Sequence, residues 1–142
     1  MRALEDLARR IARGESGRAE ERKKALRIIE TLHMEAARAI AAFTRAAAEA
    51  GAPHLDLIAI GPVEPDDKSI RAFQFRLHRG RWEAVVVSKD RAEVMFVGPF
   101  KRGGAEEPCH PVHLEEAGSG MPAALEGLES LLTDLVEAAY RT

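Results

Sequence analysis

The chain has 142 residues and a formal net charge of −2, with 46% apolar residues. That is one ordinary domain, long enough to bury a core, and its near-neutral balance excludes a global field aimed at nucleic acid or an anionic membrane. Cys109 is the single cysteine, so no intrachain disulfide can form and a reducing, cytoplasmic setting is expected.

Much of the apolar share is Ala, against five Phe, one Trp and one Tyr. The expected core is therefore aliphatic, with helices packed closely through small side chains. Asn is absent and Gln occurs once, at Gln74, a thermophile-like loss of labile amides beside abundant charge. The charge is polarised along the chain. Residues 105–142 hold eight acids against one base, Arg141, while residues 1–104 hold twenty bases and fifteen acids. Such polarity suits complementarity within the fold or head-to-tail contact between copies. Met1 to Arg13 lacks the apolar run of a signal peptide, and no stretch approaches a membrane span.

Residues 3–13 read as a short helix with Leu4, Leu7, Ala8 and Ile11 on one face. Gly14-Glu15-Ser16-Gly17 is expected to break it, with Gly14 past the helix end and Ser16 capping the next. From Arg18 to Ala50 there is no Gly or Pro. Leu26, Ile29, Ala36, Ile40, Phe43, Ala47 and Ala50 recur there in steps of three and four, with His33 the one polar occupant of the seam. Residues 1–50 thus predict a helical hairpin with one long helix of ~50 Å. The strands that follow reach only ~25–30 Å. A helix cannot bury its stripe on a sheet half its length, so the excess must meet the N-terminal segment, a second copy or a partner.

Residues 55–98 read as an antiparallel meander. Leu55 to Gly61 is a strand, and Ile70 to Arg79 alternates Phe73, Phe75 and Leu77 against Gln74, Arg76 and His78, one face buried and one solvated. Trp82–Ser88 and Ala92–Val97 follow across tight turns at Gly80 and at Lys89-Asp90-Arg91, with Gly98-Pro99 ending the last strand. Residues 99–120 form a loop with an edge strand at Val112–Leu114. Residues 121–141 form the C-terminal helix, opened by Pro122 and carrying Leu125, Leu128, Leu132, Leu135 and Ala139. The reading is a single α+β domain of two layers, both long helices on one face of a four- to five-stranded sheet. That order of elements resembles frataxin-like domains and several small chaperone-like folds in architecture alone, without any motif of those families.

Three constellations could carry function. His33 on the long-helix seam is either a hydrogen-bonded, partly buried histidine or a register-setting contact at an interface. Arg18, Arg22, Lys23, Arg76, Arg79 and Arg81 with Phe73, Phe75 and Trp82 have the composition of a single-strand nucleic-acid platform. A solvated sheet face and an i,i+4 pair at Glu20 and Lys24 account for many of the same residues. Cys109, His110 and His113, near Glu106, Glu107, Glu115 and Glu116, offer thiolate, imidazole and carboxylate for zinc or another late transition metal. Their spacing matches no zinc knuckle, and a polar loop beside an acidic helix is the simpler account of them.

No run specifies a catalytic residue or a cofactor. There is no Gly-rich phosphate loop, and Gly118-Ser119-Gly120 lacks the strand a nucleophile elbow needs. The expectation is a non-enzymatic interaction, adaptor or chaperone-like module. It would act as a homo-oligomer, or with a protein partner, through Leu26, Ile29, His33, Ala36, Ile40 and Phe43. Nucleic-acid binding by the basic helix and Arg-rich hairpin is the second reading. A metal- or thiol-dependent enzyme or sensor at Cys109, His110 and His113 is the third.

Overall fold

The computed structural model describes all residues except 54, 56–57, 67–68, 90–91, 115–119 and 142, and the backbone but not the side chains of 69–71 and 141. Two helices enclose a run of strands: α1 (Arg2–Glu49), β1 (Ala59–Ile60), β2 (Glu64–Asp66), β3 (Ser69–Arg79), β4 (Trp82–Lys89), β5 (Glu93–Lys101), β6 (Cys109–His113) and α2 (Met121–Arg141). The sheet runs β1-β3-β4-β5-β6, with β2 also paired to β3, and every pairing is antiparallel. The fold is α+β, a meander sheet with a long N-terminal helix and a C-terminal helix packed on it.

Alternation along the strands builds the core. Phe75 pairs with Val86 and Leu77 with Ala84, while Val86 pairs with Phe96, so these side chains share one face. All are buried there together with Ala25, Ile29, Leu32 and Ala36 of α1 and Ala124, Leu128, Leu131 and Leu135 of α2. Each fully buried Leu, Ile or Phe contributes about 1.5–3 kcal/mol. Both helices therefore lie on one face, α1 over β3 and α2 over β5. A Cβ added at Gly127 would stand 2.6 Å from the Phe96 ring. The missing side chain is what lets α2 approach β5 so closely.

The helical hairpin expected over residues 1–50 is not formed, because α1 is a single helix of 48 residues that runs straight through Gly14 and Gly17. Each Gly costs about 1 kcal/mol relative to Ala inside a helix but does not forbid it, and an Arg18–Glu15 ion pair of 2.7 Å spans the stretch. At ~1.5 Å per residue α1 is ~72 Å long. Strand β5 likewise does not stop at Gly98-Pro99 but continues to Lys101. The β4–β5 register shifts between Glu83 and Val85, so these two residues sit in a bulge, where Pro is tolerated and Gly98 takes φ +108°. Of the strand expected from Leu55 to Gly61, Ala59–Ile60 is β1 and residues 56–57 lie outside the described residues, and the edge strand expected at Val112–Leu114 is β6, Cys109–His113.

Candidate functional site

The seam of α1 meets the chain's own sheet. Ile29 and Ala36 are fully buried, and Leu26 and Ile40 pack half-buried against the same core. His33 bridges α1 to the sheet layer: its Nε2 lies 2.9 Å from the Gly61 carbonyl oxygen, so that nitrogen carries the proton and donates. Its ring meets Phe75 edge-on at 5.0 Å between centroids, 89° apart. Phe43 lies further along, in the gap between α1 and α2.

The half of α1 before that seam touches little. Every residue from Met1 to Lys24 is exposed, a length of ~35 Å. Its polar faces are laced by ion pairs one turn apart, Arg9–Asp6 at 3.1 Å, Arg18–Glu15 at 2.7 Å and Lys23–Glu20 at 3.6 Å. Its apolar residues are not solvated by accident of composition. At about 100° per residue, Leu4, Leu7 and Ile11 fall on the same side of α1 as Ala25, Ile29 and Ala36, yet they are 59%, 42% and 57% exposed. Gly14, Arg18 and Arg22 hold that side in between, so Leu4, Leu7 and Ile11 form a separate apolar patch beyond the reach of the sheet.

The basic residues grouped from the sequence do not converge. Arg76 and Arg79, three apart on β3, point to opposite faces. Arg76 stands on the outer face, held by Glu83 at 3.1 Å and Glu106 at 3.2 Å. Burial lowers its pKa, but the hydrogen bonds and charges of the two carboxylates outweigh this and raise it. Arg22 lies over the Phe73 ring at 5.0 Å, and Arg81 is exposed at the β3–β4 turn. Around Arg76 the outer face forms a concavity of about 320 Å³ lined also by Val85, Val87, Met95 and Cys109. Acid and base are already paired across it.

The thiol and the two imidazoles do not form a ligand set either. On β6, Cys109 and His113 face one way and His110 the other. The Cys109 thiol donates to the Glu106 carbonyl oxygen at 3.4 Å. Among the described residues no group of three or more His, Cys, Asp and Glu is placed to hold a metal ion, while Glu115, Glu116 and Ser119 lie outside those residues.

One residue has a role that its grouping by charge hid. Arg79 extends the Phe73, Phe75, Leu77 alternation by one more step, and so falls on the core face. It is 7% exposed, and its Nη1 finds no hydrogen-bond partner among the described residues. Its surroundings are Phe43, Ala52, Leu55, Val136, Glu137 and Tyr140, which line a cavity of about 540 Å³. Period-two spacing carried that signal in the sequence.

No helix among the described residues is long and apolar enough to cross a membrane. No protein-family model, curated protein or solved structure matches this chain.

Proposed function

We propose that the protein is an interaction module that self-associates through the exposed first half of α1. One observation carries this: Leu4, Leu7 and Ile11 lie uncovered on the same side of α1 that packs on the sheet from Ala25 onward, as an apolar patch set apart from it by Gly14, Arg18 and Arg22. A helix standing free of tertiary contacts is marginal in water, and Gly14 and Gly17 each weaken this one by about 1 kcal/mol. It needs a covering surface to persist. A second copy laid antiparallel supplies one, since a two-fold contact brings Leu4, Leu7 and Ile11 of both chains together. The flanking ion pairs within each helix blunt the repulsion between like-charged copies.

The experiment is light scattering on the wild type and on the triple variant Leu4→Asp, Leu7→Asp, Ile11→Asp. The wild type is expected to be dimeric or larger at high micromolar concentration, and the variant monomeric with the same thermal unfolding of the sheet domain. A wild type that stays monomeric at that concentration removes the proposal.

A further inference from the structure

We propose that the cleft between the C-terminal halves of α1 and α2 binds a monocarboxylate with an apolar chain, its carboxylate held by Arg79. The cleft has two compartments that share Phe43, Val136 and Glu137 as a common wall. One, about 540 Å³, contains the Arg79 side chain beside Ala52, Leu55 and Tyr140. The other, about 350 Å³, runs on between the helices past Ile40, Ile58 and Leu132.

The chemistry of this lining is lopsided. An always-charged guanidinium is 7% exposed with Nη1 unbonded among the described residues. Burying a polar group without a partner is costly, so Nη1 calls for an acceptor inside the cleft. A planar carboxylate accepts two parallel N–H bonds from a guanidinium, a fit an alcohol cannot match. Apart from Glu137 and, at the second compartment, Glu129 and Thr133, the remainder of the lining is aliphatic and aromatic, the pattern of a small-molecule site with a few orienting polar groups. Glu137 on the shared wall sets the charge of the ligand. Together with Glu129 at the second compartment it opposes any negative charge beyond the one that Arg79 can pair directly, which disfavours a phosphate monoester. Chain length follows from the second compartment, which only an extended apolar tail reaches from Arg79.

Trp82 is the only tryptophan of the chain and pairs with Arg79 across the β3–β4 register, which makes it a built-in reporter. Full-length protein is titrated below the micellar range with dodecanoate, dodecanol and dodecyl phosphate, read by calorimetry and by Trp82 emission. Dodecanoate is expected to bind saturably at one site per chain. Dodecanol should bind roughly tenfold or more weakly, the size of one charge-assisted hydrogen bond. Arg79→Met should lose the same factor for dodecanoate and keep its affinity for dodecanol. No saturable dodecanoate binding, equal binding of dodecanoate and dodecanol, or tighter binding of dodecyl phosphate each overturns the assignment. So does an Arg79→Met protein that binds dodecanoate as the wild type does. If Arg79→Met fails to fold, the three wild-type titrations decide the matter alone, and none of them depends on self-association.

Discussion

The two halves of α1 are one helix in geometry and two environments in energy. From Ala25 to Phe43 the stripe lies on β3 and on α2, with Ile29, Leu32 and Ala36 fully buried. From Arg2 to Lys24 the same side carries a shorter apolar patch, Leu4, Leu7 and Ile11, that lies in solvent. Both halves satisfy the same periodicity, so amphipathicity does not tell which part of a helix is structural and which is free to bind. What separates them is the reach of the sheet beneath. Helical stability comes mainly from packing of the apolar face rather than from propensity, so the halves should differ steeply in local stability.

The largest break in that comparison is Leu32→Ala. Leu32 is fully buried, and its truncation should cost about 2–5 kcal/mol of global stability in urea unfolding, through lost transfer energy and a residual cavity. The matched change in the other half, Ile11→Ala, should move the same transition by under about 0.5 kcal/mol at concentrations where the protein is monomeric. Equal effects would mean that the first half of α1 is packed after all.

Glycines sharpen the contrast. Gly127→Ala places a Cβ 2.6 Å from Phe96, a fully packed ring with nowhere to go, and should destabilise by about 1–3 kcal/mol despite the better helix propensity. Gly14 and Gly17 have nothing within 4 Å of an added Cβ. Converting both to Ala should therefore raise far-UV helicity and stabilise the first half of α1 by about 1 kcal/mol per site. The opposite signs for one chemical change report packing alone.

Native-state hydrogen exchange locates the boundary directly. Amides from Ala25 to Ala36 should exchange only through global unfolding, while those before Lys24 exchange through local opening in the monomer. Raising protein concentration should protect the early amides selectively, as binding to the folded state demands. Protection that is uniform along α1 and independent of concentration contradicts the picture.

The smallest effect belongs to the outer face. Arg76→Ala removes the bridges to Glu83 and Glu106, both partly solvated, and should cost about 0.5–1 kcal/mol at low salt and less as salt screens the pair. The raised Arg76 pKa means this contribution is complete below the ordinary arginine range and is lost only as pH climbs through the folded-state value. Between pH 5 and pH 9 the effect should be flat as far as Arg76 itself is concerned.

Local pattern determined much of this protein. Period two assigned Phe73, Phe75 and Leu77 to the buried face of β3, and period three to four assigned Ile29, Ala36, Leu128 and Leu135 to the helix stripes, because side-chain direction follows directly from backbone repeat. The α+β class and the antiparallel meander followed from short turns between such segments. Tertiary structure alone decided the rest. Gly14 to Gly17 reads as a break, yet whether two permissive residues end a helix depends on whether a second packing site rewards the turn, and none did. Gly98-Pro99 reads as a strand end, yet a bulge opposite Ala84 absorbs it. Arg79 groups by charge with Arg76 and Arg81, and only the closure of α1 and α2 over the end of β3 leaves its Nη1 buried with no hydrogen-bond partner among the described residues. Periodicity is a property of the chain; the length of the surface it meets, and the charge that surface encloses, belong to the fold.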